Sequence, residues 1–128
     1  MRYYVDTCIW RDFWEDRKDP RPLGEYAEKF FLNVFKRKDT LLFSDRILAE
    51  LKIALSSDEI EQLFSAFVAA GLLEKVPITE GIREKARKGP LHYGDMIHAL
   101  LAREHDAVLV TRDKHFRSIP HIKPESIQ

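Results

Sequence analysis

The chain has 128 residues, a length typical of one domain, and 45% of them are hydrophobic, which excludes intrinsic disorder as a description of the whole. Lysine and arginine total 21, as do aspartate and glutamate, so the balance argues against nucleic-acid binding through bulk positive charge, although a local basic strip is compatible with it. The single cysteine, Cys8, excludes an internal disulfide. No apolar run reaches the about 18–20 residues that a membrane span needs. We therefore expect a protein of the reducing cytoplasm.

Short apolar strands alternate with amphipathic helices along the chain. The predicted strands cover residues 2–5, 40–43, 72–78 and 107–110, with a short edge strand at 119–123. The predicted helices cover residues 9–14, 25–38, 58–70, 79–88 and 93–105, with a further helix capped by Ser44 or Asp45. The alternation predicts a single α/β domain, residues 1–128, with a parallel sheet covered by helices on both faces. In such folds, ligands bind beyond the carboxyl ends of the strands.

Four carboxylates are expected at that edge of the sheet. Asp6 directly follows the first strand, and Asp113 follows the last strong one. Glu50 lies about two turns into the helix after the second strand, and Asp95 lies in the first turn of the helix that leads into the last strong strand. Because these segments end or begin at the same edge, the four side chains can face one another.

Each acid alone also has a structural explanation. Asp6 can cap a helix, Asp95 can interact with a helix dipole, and Asp113 can form a turn. Glu50 is more informative because its neighbours by helical spacing form an apolar face. A carboxylate at the margin of such a face is costly unless it is paired or binds a metal.

Convergence of the acids predicts a divalent cation. Two carboxylates about 4 Å apart repel by roughly 4 kcal/mol at an effective dielectric near 20, so a cluster needs a cation or stays partly protonated. An all-oxygen ligand set favours Mg²⁺ or Mn²⁺. Such ions bind phosphate oxygens and activate water, so hydrolysis of a phosphodiester is the reaction this site predicts.

Four motifs occur in order along nearly the whole chain: Tyr4-Val5-Asp6-Thr7, Ser44-x-x-Ile47-x-x-Glu50-Leu51, Gly94-Asp95-Met96-Ile97-His98-Ala99 and Leu109-Val110-Thr111-Arg112-Asp113-Lys114-His115-Phe116. Together they resemble the PIN-domain family, and more narrowly the VapC-like toxins of VapBC toxin–antitoxin pairs. The resemblance implies a three-layer α/β/α sandwich with a central, mainly parallel sheet. It also implies a Mg²⁺- or Mn²⁺-dependent endoribonuclease, a homodimer and inhibition by a cognate antitoxin protein.

The resemblance assigns roles to individual residues. The metal-binding and catalytic acids would be Asp6, Glu50, Asp95 and Asp113. Thr111 would support Asp113, and Thr7 would help to hold Asp6. Two positions depart from the family pattern. Cys8 stands where serine or asparagine is common, which can loosen hydroxyl support, and His115 stands where many members carry a further aspartate, which can weaken a second metal position.

Basic residues around Asp113 are expected to contact the RNA backbone: Arg112, Lys114 and Arg117.

His98, one turn after Asp95, could suggest zinc, but without a thiolate cluster it is better interpreted as a partly buried helix residue.

Two other functions remain open. One is a PIN-fold binding module with weak or absent catalysis that acts through protein partners, since the Cys8 and His115 departures allow it. The other is a phosphatase resembling haloacid dehalogenases with Asp6 as nucleophile. That family uses an Asp-x-Asp arrangement, and Cys8 occupies the second position here.

Overall fold

A computed structural model describes residues 1–127, in which four parallel strands form one sheet. The strands are β1 (Arg2–Val5), β2 (Thr40–Phe43), β3 (Leu73–Lys75) and β4 (Val108–Val110), in the spatial order β3-β2-β1-β4. Tyr4 of the central strand β1 lies opposite Leu42 of β2 and Leu109 of β4. The carboxyl ends of these three strands therefore meet at one edge.

Within residues 1–127, six α-helices connect and cover the strands: α1 (Thr7–Glu15), α2 (Leu23–Arg37), α3 (Asp45–Leu51), α4 (Ser57–Ala69), α5 (Glu80–Lys88) and α6 (Tyr93–Glu104). Single 3₁₀ turns follow at Lys114–Phe116 and Pro124–Ser126. Polar residues begin several of the helices because their side chains accept the otherwise unpaired first backbone N–H groups. Ser44 caps α3, a Ser56–Glu59 capping box begins α4, and Thr79 caps α5.

The helices lie on both faces of the sheet. Tyr3 packs edge-on against Phe30 of α2, with ring centroids 5.3 Å apart, whereas Tyr4 contacts His98 of α6. Successive residues of a strand point to opposite faces, so α2 and α6 cover opposite sides. The predicted three-layer α/β/α architecture with a parallel central sheet is therefore confirmed.

The core on the α2 side is rich in aromatic residues. Trp10 of α1 is fully buried and stacks on Phe31 at 4.8 Å, with Phe64 at 4.8 Å and Phe67 at 5.5 Å completing its surroundings. These contacts join α1, α2 and α4 into one layer. Among the described residues, no helix is long and apolar enough to cross a lipid bilayer.

Two predicted strands are shorter than expected. The segment predicted at 72–78 pairs with β2 only over Leu73–Lys75, because β2 ends at Phe43. The Phe43 carbonyl accepts the last backbone hydrogen bond between the two segments, from the N–H of Val76. Pro77, which follows, has no N–H to donate. The segment predicted at 119–123 forms a single parallel bridge between Val110 and Ile122, since the prolines that flank it cannot extend a ladder.

Candidate metal centre

Asp6 lies directly beyond the carboxyl end of β1, and its carboxylate is buried. Oδ1 accepts the backbone N–H of Thr7 at 2.8 Å, while Oδ2 accepts the hydroxyl of Thr111 at 2.7 Å and the thiol of Cys8 at 3.3 Å. The donors come from both sides of the sheet edge, from α1 and from the segment after β4. Asp6 is therefore held in one orientation at the bottom of the site.

Glu50 approaches Asp6 from α3. Its Oε1 accepts the Thr7 hydroxyl at 2.6 Å and lies 2.9 Å from Nε2 of His98, while Oε2 accepts Nε–H of Arg46 at 3.0 Å. Burial alone would raise the pKa of Glu50, but the hydrogen bonds from His98, Thr7 and Arg46, with the charge of His98, lower it to about 2. Glu50 is therefore ionised at neutral pH.

Asp6, Glu50 and His98 form a first cluster. Each offers one potential ligand atom, and these atoms lie within 4.8 Å of one another. Nε2 of His98 is 3.9 Å from Oδ1 of Asp6. The Thr7 residue joins the two acids, since its N–H binds Asp6 and its hydroxyl binds Glu50. Two acids 44 positions apart in the sequence thus share one residue as support.

Asp95, Asp113 and His115 form a second cluster, whose ligand atoms also lie within 4.8 Å of one another. Nδ1 of His115 is 3.6 Å from Oδ2 of Asp95 and 3.3 Å from Oδ1 of Asp113. The backbone N–H of Asp113 donates to the Thr111 hydroxyl at 3.0 Å, and that hydroxyl donates to Asp6. Thr111 therefore connects the two clusters.

The acids of both clusters influence one another electrostatically. Partial burial, followed by the charges of Asp113 and Asp6, raises the pKa of Asp95. Hydrogen-bond donors neutralise part of the charge at Asp6 and Glu50, whereas His115 and His98 offset only part of the repulsion at Asp95. Carboxylate oxygens with an adjacent imidazole are ligands that divalent ions accept, so these residues fit a divalent metal.

Cys8 supports the site as a thiol. Burial, followed by the negative charge of Asp6, raises the pKa of the Cys8 thiol, so it keeps its proton and donates it to Asp6. Thr111 supplies the hydroxyl that binds the same carboxylate oxygen. The departure from serine or asparagine at position 8 thus leaves Asp6 with a hydroxyl partner.

The three predicted RNA-contacting residues have different surroundings. Lys114 and Arg117 are exposed near Asp113. Arg112 is partly buried and donates to the carboxylate of Asp12, from Nε at 2.6 Å and from Nη2 at 2.8 Å.

Two residues that contact Glu50 were not assigned to the site by the sequence interpretation. His98 is completely buried rather than partly buried, and it contacts Glu50 directly. Arg46 lies one turn before Glu50 and donates to it, and its Cζ is 5.9 Å from the centre of the Tyr93 ring. A Cβ at Gly94 would come within 2.5 Å of Nη2 of Arg46, so glycine leaves room for the guanidinium. The i,i+4 spacing of Arg46 and Glu50 was the available signal for this pair.

The fold and the two clusters define an α/β protein with an acidic centre at the carboxyl edge of a parallel sheet. The sequence matches the PIN domain family model over residues 3–122. The chain therefore belongs to the PIN domain family, as the motifs predicted. Members of this family are typically metal-dependent nucleases.

Solved structures with the same fold include toxin–antitoxin complexes. A chain of VapBC2 from Rickettsia felis, bound to a DNA fragment from their promoter, is 19% identical, with 96% of each chain covered and a TM-score of 0.60. A toxin–antitoxin complex from Klebsiella pneumoniae gives 20% identity, coverage of 95% of this chain and 97% of that chain, and a TM-score of 0.67. FitAcB from Neisseria gonorrhoeae is 18% identical, with 97% of this chain and 98% of that chain covered and a TM-score of 0.64. No curated protein matches the sequence.

Proposed function

We propose that this protein is a Mg²⁺- or Mn²⁺-dependent endoribonuclease and the toxin of a type II toxin–antitoxin pair. The observation that carries the proposal is the meeting of two carboxylate-containing clusters at one sheet edge, with Thr111 hydrogen-bonded to both. Membership of the PIN domain family supports a nuclease, and the toxin–antitoxin complexes among the similar structures support an antitoxin partner. The homodimer remains a proposal from the family resemblance.

The proposed metal ligands are Asp6, Glu50, Asp95 and Asp113. A divalent ion there supplies charge neutralisation for the phosphate and acidification of water. Thr7 and Thr111 orient the acids, because their hydroxyls donate to Glu50 and Asp6. Lys114 and Arg117 are exposed beside the second cluster, where their charges can hold the RNA backbone.

Cleavage of RNA in the presence of Mn²⁺ or Mg²⁺ tests the proposal. The Asp6→Asn variant keeps the size of the side chain and removes its charge, so cleavage should fall by at least about 100-fold, a loss within what metal catalysis contributes. Asp58→Asn, an exposed acid at the start of α4, is the matched control and should cleave like the wild type. Equal cleavage by wild type and Asp6→Asn, or cleavage that survives EDTA, contradicts the proposal.

A binding module without catalysis is the second function that an observation favours. Glu50 already accepts hydrogen bonds on both oxygens, and the cation that reaches Oε2 is Arg46 of the same chain. A metal titration separates the two functions, since a bound ion stabilises the fold by about 2.7 kcal/mol at 100 times its dissociation constant. No thermal shift with Mn²⁺, together with no cleavage, would identify the module.

A further inference from the structure

We propose that Ser44, Tyr4 and His98 form a buried hydrogen-bond relay that positions the Glu50 carboxylate. The inference deepens the proposed function and rests on it, because it takes Glu50 as a metal ligand. It makes Tyr4 and His98 positioning residues of the site, although neither faces solvent.

The relay runs from Ser44, the N-cap of α3, through Tyr4 of β1 and His98 of α6 to Glu50 of α3. The Tyr4 hydroxyl lies 2.7 Å from Oγ of Ser44 and 2.8 Å from Nδ1 of His98, and Nε2 of His98 lies 2.9 Å from Oε1 of Glu50. Ser44, Tyr4 and His98 each have 0% exposure. Water does not compete for these groups, so each polar atom depends on its partner in the relay.

The relay holds whether the imidazole is neutral or charged, because in both states Nε2 of His98 can donate to the Glu50 carboxylate, which only accepts when ionised. In the neutral ring, Nδ1 accepts the hydroxyl proton of Tyr4, and the Tyr4 oxygen accepts the hydroxyl proton of Ser44. In the charged ring, Nδ1–H donates to the Tyr4 oxygen, and the Tyr4 hydroxyl donates to Oγ of Ser44. Burial raises the pKa of Tyr4, which keeps its hydroxyl available as a donor.

The far end of the relay returns to the helix that carries Glu50. Oγ of Ser44 accepts the backbone N–H of Ile47 at 3.5 Å and caps α3. Glu50 is thus constrained twice, through the backbone of α3 from its cap and through its side chain by His98. Rotation of the carboxylate away from Asp6 would leave the buried Nε2–H of His98 without its acceptor, which is costly.

The Tyr4→Phe variant tests the relay because it removes one hydroxyl and keeps the ring in the core. Tyr3→Phe is the matched control, since Tyr3 is the preceding, also buried, residue of β1 and faces α2 instead of the site. Calorimetric titration with Mn²⁺, without RNA, should give an affinity at least about 10-fold weaker for Tyr4→Phe, the range observed when residues that orient metal ligands are changed. Tyr3→Phe should keep the wild-type affinity.

Variants of His98 separate positioning from packing. Gln can still donate an amide N–H to Glu50, so His98→Gln should bind Mn²⁺ within a few-fold of wild type, whereas His98→Leu should lose at least about 10-fold. Nitrogen-15 NMR of the wild-type His98 ring at neutral pH should show the proton on Nε2. Wild-type Mn²⁺ affinity in a folded Tyr4→Phe or His98→Leu variant, or a neutral ring with its proton on Nδ1, overturns the relay. A wild type that binds no Mn²⁺ overturns the proposed function together with the relay, so the two failures are distinguishable.

Discussion

Arg112 and Asp12 form an ion pair with two hydrogen bonds, of 2.6 and 2.8 Å, between residues 100 positions apart. The Asp12 carboxylate is almost fully buried, and Arg17 lies 3.8 Å from its Oδ1 as a weaker second partner. The pair joins the segment after β4 to α1, the same two parts of the chain that donate hydrogen bonds to Asp6. Its geometry gives Arg112 a structural role in addition to the RNA contact predicted for it.

Removal of the Arg112 side chain should destabilise the protein. Arg112→Ala leaves a buried carboxylate without its principal partner, which typically costs about 3 kcal/mol, although Arg17 can recover part of this. Urea unfolding measures the loss, and Lys114→Ala, the exposed control two residues away, should stay within about 0.5 kcal/mol of wild type. Equal stabilities for the two variants would contradict the structural role.

Lys114 and Arg117 should contribute to RNA affinity without contributing to stability. In the inactive Asp6→Asn background, Lys114→Ala and Arg117→Ala should each weaken RNA binding. Each should also reduce the slope of the logarithm of the binding constant against the logarithm of the salt concentration by about 1. Arg83→Ala on α5 is the control, because Arg83 is an exposed basic residue in another part of the chain. A salt dependence that is unchanged in both test variants would argue against contact with the backbone.

The positions of the acids could be predicted because they follow from local sequence. Asp6 and Asp113 come after apolar strands, and parallel strands bring their carboxyl ends to one edge. Glu50 and Asp95 could be added because their helices begin at that edge. Those four positions needed only the order of the elements and their periodicity.

The hydrogen-bond partners could not be predicted in the same way. Contact between Tyr4 and His98, or between Asp12 and Arg112, depends on strand register and helix rotation, which an isolated motif does not contain. Burial of His98 follows from the packing of α6 against β1. The ends of β3 depended likewise on the length of its partner β2.

Glu50 should make the metal-free protein lose stability in acid. Its pKa falls from 4.5 when unfolded to about 2 when folded, so the unfolded state binds more protons between these values. The stability that Glu50 contributes is fully present above about pH 4.5 and is lost as pH falls toward 2. We therefore expect the free energy of unfolding, measured with urea in EDTA, to decrease more steeply with falling pH in the wild type than in Glu50→Gln. The difference in slope should reach up to about 1.4 kcal/mol per pH unit. Parallel curves over this window would contradict the low pKa.

Asp95 should have the opposite effect on the metal-free protein. Burial, followed by the charges of Asp113 and Asp6, raises its pKa, so its ionised form opposes folding at neutral pH. The stability that protonated Asp95 contributes is present at low pH and is lost as pH rises through the folded pKa. Asp95→Asn should consequently unfold at a higher urea concentration than the wild type in EDTA at pH 7. Added Mn²⁺ should reverse the order, because the wild type gains a ligand that the variant has lost. An Asp95→Asn protein that is less stable in EDTA would show that repulsion at this carboxylate is already relieved.

His115, which lies with Asp95 and Asp113 in the second cluster, should act as a further ligand beside the four proposed acids and bias the site toward Mn²⁺. Its Nδ1 lies 3.3 and 3.6 Å from oxygens of Asp113 and Asp95, and an imidazole nitrogen favours a transition ion over Mg²⁺, which prefers oxygen ligands. His115→Asp replaces that nitrogen by a carboxylate oxygen and should narrow the ratio of Mn²⁺ to Mg²⁺ affinity by about 10-fold. His121→Asp is the matched control, since it adds the same charge at a histidine whose Nδ1 is bonded to the Ile119 carbonyl. Calorimetric titrations of both ions into the three proteins measure the ratio, and an unchanged ratio in His115→Asp would mean that His115 does not act as a ligand.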